Sequence, residues 1–169
     1  MKNKYFIIPI ILIINLILIS KLQAVEEFNF NVTEIEILEN GNKIIGKNRG
    51  EISSKDGITI SADNFTYNRI QNILIANGNV IIIDDENQYK IFSDYITYDK
   101  NKETIFTTGI SKAKIRERYN IETRDLFFDR NNKILNSNQK SSLRDEFTKN
   151  LFNLEKFNFS INDEILKGE

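Results

Sequence analysis

Three aspartates recur along the chain at a constant spacing, and a ladder of carboxylates could bind a cation. Asp63, Asp94 and Asp125 follow one another with a 31-residue period. Stacked repeats would superpose them, but the companion oxygen ligands of a Ca²⁺ loop are not found at matching offsets. The alternative is that each aspartate lies at a corner of the backbone, where its carboxylate accepts hydrogen bonds from N–H groups. The sequence favours this second interpretation.

A second group of candidate residues is cationic. Between Lys112 and Arg118, cations alternate with small, apolar or acidic residues. On a strand, this alternation predicts that Lys112, Lys114, Arg116 and Arg118 share one face. Such a face could meet lipid phosphates or a membrane surface. A solvated outer face, or a sheet edge protected by charge, explains the same pattern and is the favoured interpretation.

The composition argues against most enzyme chemistry. The chain of 169 residues has no Cys and no His, which excludes thiol catalysis, disulfides, Cys/His metal sites and histidine acid–base catalysis. No convergent pair of carboxylates indicates a glycosidase. A net charge of -1 does not indicate a nucleic-acid partner. We therefore expect no enzymatic activity, no cofactor and no metal site.

The N-terminal residues 1–24 are typical of a secretory signal peptide. Lys2 and Lys4 precede an apolar run from Tyr5 to Ile19, and a short polar stretch ends at Ala24. The run is short for a membrane-spanning helix, which needs about 20 apolar residues. The alternative is an uncleaved membrane anchor. Either interpretation predicts that residues 25–169 form one exported domain.

The mature chain repeats itself with the same 31-residue period as the aspartates. Tyr67 and Gly78 in one copy correspond to Tyr98 and Gly109 in the next, in unbroken register. A third copy is weaker, with Asp129 in the place of the tyrosine, and a fourth is shortened. A degenerate copy precedes Gly57. Repeats of this length are typical of stacked units that cannot bury their apolar faces alone.

Within each unit the apolar period is two, which predicts strands rather than helices. The parity of the apolar residues changes at Asp63-Asn64 and again at Asp94-Tyr95. A one-residue slip moves every following side chain to the opposite face, so each change predicts a bulge or corner. Polar turns join the strands. The sequence therefore predicts an all-β fold of repeated short antiparallel strands.

These motifs resemble the OstA-like family of periplasmic lipopolysaccharide-transport domains. The resemblance is carried by Ala62-Asp63 through Tyr67, Ala76 through Val80, Ser93-Asp94 through Tyr98, and Thr107-Thr108-Gly109. It covers about residues 28–168. Within the family, the motifs are most similar to the N-terminal periplasmic domain of the LptD assembly proteins, and then to the soluble LptA bridge proteins. Since no outer-membrane barrel follows, the chain looks truncated at its C-terminus.

The resemblance implies a V-shaped, solenoid-like β-jellyroll that carries lipopolysaccharide in the periplasm, close to the outer membrane. Its implied partners are lipid A, other OstA-like domains joined through edge strands, and the outer-membrane assembly machinery. The alternative is a purely structural exported β-solenoid, either a scaffold or an adhesin. Positions that recur on the inward face predict a lipid groove formed by Ile58, Ile60, Phe65, Tyr67, Val80, Ile82, Ile91, Ile96, Tyr98, Ala113 and Ile115. The predicted partner edges contain Phe28, Phe30 and Val32 at one end and Phe157 and Phe159 in a terminal strand at the other.

Overall fold

The structure, a computed structural model, describes residues 28–169 and is all-β. In this part of the chain, 14 strands form a single antiparallel sheet, with one 3-10 turn at Glu39–Gly41. The all-β prediction is therefore confirmed. The predicted signal peptide, residues 1–24, lies outside the described residues. The strands are β1 (Phe28–Leu38), β2 (Lys43–Ser54), β3 (Ile58–Ala62), β4 (Asn64–Asn68), β5 (Ile73–Asp84), β6 (Tyr89–Asp99), β7 (Thr104–Ile115), β8 (Tyr119–Arg124), β9 (Phe127–Asp129), β10 (Ile134–Ser137), β11 (Ser141–Asp145), β12 (Leu151–Leu154), β13 (Phe157–Ser160) and β14 (Ile165–Gly168).

The sheet is folded into two arms because the long strands change partners or shift their pairing register halfway along. In β5, residues 73–77 pair with β4, whereas residues 81–84 pair with β3. β2 and β7 change partners in the same way. β1 and β6 keep their partners, but their pairing register shifts at the same level, between Val32 and Glu34 in β1 and between Ser93 and Tyr95 in β6. The first arm has the order β1-β2-β3-β5-β6-β7-β8-β11-β12, and the second arm has the order β1-β2-β4-β5-β6-β7-β9-β10-β13-β14.

The corner between the arms lies where the apolar parity changes in the sequence. In the first clear copy, β3 ends at Ala62 and β4 begins at Asn64. In β6 the register of pairing shifts between Ser93 and Tyr95. The bend turns the following side chains back towards the same interior. The predicted change at both places is confirmed.

The turns at the tips of the second arm each contain a residue with a positive φ at a recurrent position. Gly41, Asn72, Glu103, Lys133 and Glu164 all have a positive φ. Successive members of this set follow the 31-residue period, except that the step from Glu103 to Lys133 is one residue shorter. This recurrence indicates that the copies before Gly57 and after Ser141 turn at the same place in the unit as the clear ones. The third unit therefore lacks one residue.

The shorter third unit corrects one prediction. Tyr98 pairs across the sheet with Ile105, which pairs in turn with Phe128. Phe128, not Asp129, therefore lies in the position of the repeated tyrosine, one residue short of a full period after Tyr98. The 31-residue period placed Asp129 there because it could not account for a one-residue deletion.

Aromatic pairs join the arms across the core. Phe28 meets Tyr67 with ring centroids 5.0 Å apart, and Tyr89 meets Phe128 at 4.8 Å, both edge to face. Near the other end, Tyr119 packs on Phe159 at 5.0 Å. Each pair has one member in each arm. Such contacts contribute about 0.5–1.5 kcal/mol beyond the buried area, and they hold the inner faces together.

Candidate lipid-binding interior and its mouths

The residues predicted to form a groove all lie on the inner faces of the two arms, in one apolar core. Each is at most 5% exposed. Their inward direction agrees with the alternation in the sequence, but in this structure they are packed against each other rather than lining an open trough. The set is Ile58, Ile60, Phe65, Tyr67, Val80, Ile82, Ile91, Ile96, Tyr98, Ala113 and Ile115.

The interior is apolar in its middle but polar along the corner. Ser111 donates to Thr107 at 2.6 Å, and the Thr123 and Ser141 hydroxyls lie 2.7 Å apart. The Thr107 hydroxyl also accepts the Leu126 N–H at 2.9 Å. These buried hydroxyls bond to each other and to backbone groups that the bend releases from the strand ladder. The apolar pattern of the sequence does not single them out, although Thr107, Ser111 and Thr123 alternate with outward residues.

Apolar inner-face residues become exposed at the N-terminal end of the sheet. Ile37 pairs with the buried Ile44, so both face inward, yet Ile37 is 60% exposed. Ile35 shares this face and is half exposed, while Phe30 and Val32 pack partly against the core. These four residues, Phe30, Val32, Ile35 and Ile37, form what we call the N-terminal mouth of the interior. The sequence pattern marked Phe30 and Val32 but not the two isoleucines.

A similar mouth lies at the other end of the sheet. Phe152 pairs with the buried Leu143, so it faces inward, yet it is 42% exposed. Leu154 and Leu166 pack partly against the core beside it. We call Phe152, Leu154 and Leu166 the C-terminal mouth. The interior thus ends in apolar surface on both sides.

The edge strands agree with the prediction at one end and correct it at the other. Within residues 28–169, β1 pairs only with β2, so Phe28, Phe30 and Val32 lie on an edge strand. In contrast, β13, which contains Phe157 and Phe159, pairs with β10 on one side and β14 on the other. The prediction of a terminal strand at β13 is wrong, because the chain turns after Ile161 and returns as β14. Among the residues that the structure describes, the edges there are β12 and β14.

A buried guanidinium joins the tips of the two arms. Arg130, in the turn after β9 of the second arm, donates to the Tyr89 hydroxyl at 3.0 Å and to Asp56 at 2.5 Å, both in the first arm. It also lies 3.4 Å from the fully buried Asp84 at the end of β5. Its own side chain is 9% exposed. Most of its contacts are therefore shielded from water.

Further contacts complete this group, which we call the Arg130 cluster. Arg130 donates to the Tyr98 hydroxyl at 2.7 Å and to Glu103, both in its own arm. Lys100 pairs with Glu103 and reaches across to Asp56 at 3.1 Å. Burial raises the pKa of Asp56, but hydrogen bonds from Ser54, Arg130 and Lys100 outweigh it and hold that pKa well below its ordinary value. Burial also raises the pKa of Tyr98 far above its ordinary value.

A second inter-arm cluster is centred on Glu164. This carboxylate, in the last tip of the second arm, accepts hydrogen bonds from Arg118 at 2.7 Å and Arg116 at 3.0 Å. The Tyr119 hydroxyl donates to it at 2.9 Å. Arg118 also holds Asp145 in a two-pronged contact at 2.8 and 3.1 Å. The residues around Glu164 belong to the first arm, so the tips are tied together here as well.

These contacts correct the predicted cationic face. Lys112 and Lys114 lie on the outer side of β7, where Lys112 pairs with Glu122 at 2.7 Å. The strand ends at Ile115, so Arg116 and Arg118 belong to a turn instead. Both point towards the second arm, where they pair with Glu164. The four cations do not share one face because the strand stops before the last two.

Two of the three recurrent aspartates, Asp63 and Asp125, make contacts typical of corner residues. Asp125 accepts the Gly109 N–H at 2.8 Å. Asp63 accepts hydrogen bonds from Asn79 at 2.8 Å and Arg49 at 2.9 Å. No group of three or more potential metal ligands occurs among residues 28–169. The same residues include no helix that is long and apolar enough to cross a membrane.

Comparison with known proteins finds similarity in structure but not in sequence. No protein-family model matches the chain, and no curated protein matches it. Among solved structures, LptH, the LptA-homologous periplasmic component of the lipopolysaccharide transport device of Pseudomonas aeruginosa, superposes with a TM-score of 0.59. The match has 16% sequence identity and covers 66% of this chain and 80% of LptH. The chain therefore has the β-jellyroll fold of the LptA-like transport proteins.

Proposed function

We propose that this chain is a non-enzymatic carrier of lipopolysaccharide that belongs to the OstA-like family and acts in the periplasm. The observation that carries the proposal is the LptA-like fold built around a continuous apolar interior. Lipid A acyl chains would lie between the arms, along the inward residues named above. The protein requires no cofactor for this role, because carriage of a lipid involves no bond making or breaking.

The two mouths support this proposal. The interior ends in exposed inward-facing residues such as Ile37 and Phe152, which a monomer would normally cover. A second domain of the same fold would extend both arms and cover this surface, while its strands pair with the free edges. We therefore propose that other OstA-like domains of a lipopolysaccharide-transport pathway, whether LptA-like bridges or the N-terminal domain of an LptD protein, are the partners.

The strand directions define how such a partner would fit. In the second arm, β14 runs from tip to corner, whereas the second half of β1 runs from corner to tip. A copy stacked head to tail would thus pair antiparallel at β14. In the first arm, β12 and the first half of β1 both run from tip to corner, so that pairing would be parallel. Since antiparallel pairs are the more stable, we expect the contact to form through the second arm.

A structural rod is the second candidate function, and the packed interior favours it. A rod would keep its core dry and full, as the 0–5% exposure of the groove candidates shows for this conformation. A carrier must open that core to admit acyl chains. The two functions therefore differ in whether lipid reaches the inner face.

Site-specific photo-crosslinking distinguishes them. A benzophenone amino acid at Ile37 should capture purified lipopolysaccharide, because this residue faces inward at the N-terminal mouth. The same group at Ile110 is the matched control, since this isoleucine is 66% exposed but faces outward beside the buried Ser111. A crosslink at Ile37 alone supports the carrier. Equal crosslinking at both positions, or none at either, leaves the structural rod as the better explanation.

The proposed location has its own test. Export with cleavage after Ala24 predicts a mature protein that begins at Val25. Intact-mass measurement of the protein recovered from the periplasm checks this directly. Retention of Met1 on a membrane-bound species would instead support the uncleaved anchor.

A further inference from the structure

We infer that the Arg130 cluster is a latch that holds the tips of the two arms together, and that lipid reaches the interior only when this latch opens. The inference rests on the proposed carrier function. It concerns the long side of the jellyroll, where the tips of the arms meet, rather than its two ends. We call this long side the seam.

The latch lies directly between the core and the solvent. A cavity of about 280 Å³ at the cluster is lined by charged residues, including Asp56, Asp84 and Arg130, and by the core residues Phe128 and Ile161. Tyr89 and Tyr98 present their rings to the core and their hydroxyls to Arg130. Separation of Arg130 from its first-arm partners would therefore open a path from solvent to apolar side chains.

The energetics of a buried ion cluster suit a latch rather than a permanent closure. Arg130 and Asp84 are largely removed from water, so their attraction is offset by the cost of desolvation. When the arms separate, both charges regain hydration, and the net cost of breaking the pair is smaller than the attraction alone. The remaining cost is the exposure of apolar core, which bound acyl chains would themselves cover. Because lipid would bind the open state more tightly than the closed state, it would shift the equilibrium towards the open state.

The chain offers a clean way to observe the opening. It contains no Cys, so spin labels can be attached to a cysteine pair introduced by Lys55→Cys and Lys102→Cys. Both positions are exposed and lie at tips of opposite arms, in the β2–β3 and β6–β7 turns. The Lys102 ammonium pairs with Asp99, which is outside the Arg130 cluster. The distance distribution between the labels then reports the width of the seam.

Arg130→Gln in this labelled protein should lengthen and broaden the distance and should accelerate uptake of fluorescently labelled lipid A several-fold. Asp56→Asn, at an exposed tip position, is the second variant and should act in the same direction if Arg130→Gln does not fold. Lys112→Gln is the matched control, because it removes a cation whose ion pair with Glu122 lies within one arm. It should leave both the distance and the uptake rate unchanged.

The outcomes separate the latch from the carrier function. If wild-type protein binds lipid A, but neither variant changes the distance or the uptake rate, the latch is wrong and lipid enters only through the ends. If Arg130→Gln widens the seam, but neither the wild type nor this variant takes up lipid A, the carrier function is wrong. The cluster would still be shown to close the arms. An equal effect of Lys112→Gln would show a nonspecific charge effect and would overturn the latch.

Discussion

Gly78 and Asp63 meet so closely at the corner of the arms that a methyl group on Gly78 would lie 2.5 Å from Asp63 Oδ2 and 2.9 Å from its Cβ. Gly78 also has a φ of +78°, a conformation that costs other residues about 1–2 kcal/mol. Gly78 thus serves both the turn and the close approach of Asp63 at the corner.

We expect Gly78→Ala to lower the free energy of unfolding by about 2–4 kcal/mol, since the backbone strain adds to steric overlap. Gly109→Ala is the matched control, because Gly109 has a φ of +87° but no atom within 4 Å of the added methyl. It should cost only about 1–2 kcal/mol. Urea unfolding measures both. Equal losses would show that contact with Asp63 contributes nothing.

The one-residue deletion in the third unit predicts unequal roles for two adjacent phenylalanines. Phe128 is buried against Tyr89, so Phe128→Ala should cost about 3–5 kcal/mol. Phe127 faces outward and is only half-buried, so Phe127→Ala should cost much less. Thermal or urea unfolding provides the comparison. A larger loss for Phe127→Ala would contradict this strand register.

The Arg130 cluster predicts a specific loss of stability in acid. The pKa of Asp56 is held below its ordinary value of 3.8, so the folded state binds this proton less readily than the unfolded state. The stabilisation is fully present above about pH 4 and is lost as the pH falls further. Unfolding measured from pH 6 to pH 2 should show this loss. Asp56→Asn should have a flatter profile below pH 4, and an unchanged profile would contradict this assignment.

The Glu164 cluster predicts the opposite behaviour in alkali. Burial and the hydrogen bond to Glu164 raise the pKa of Tyr119 from 10.0 to about 12. Because the folded state retains the proton, the stabilisation is complete below pH 10 and is lost between about pH 10 and pH 12. Nuclear magnetic resonance of ring-labelled tyrosine can follow this titration. In Glu164→Gln the Tyr119 midpoint should fall, whereas an unchanged midpoint would show that Glu164 has no influence on it.

Much of the fold follows from the sequence because it depends on local preferences. The alternation of apolar residues predicts strands, and the change of parity at Asp63-Asn64 predicts the corner that the structure contains. Gly78 and Gly109 mark the positions where the backbone needs a positive φ. These features depend on neighbours in the chain, so the repeat displays them directly. The inward direction of Ile82 and Ile96 follows from the same alternation.

The tertiary structure alone decides how the two arms close on each other. Arg130 contacts Asp56 and Asp84, which lie 74 and 46 residues away, and no periodic pattern predicts such a pairing. The deletion that brings Phe128 to the position of Tyr98 becomes visible only through cross-strand register, and β14 is recognised as an edge only once the chain has turned after Ile161. Long polar side chains reach partners according to how far the arms have bent and twisted. The sequence therefore determined which residues face inward. The packing of the two arms decided that these residues are buried, and it decided which charged side chains cover them.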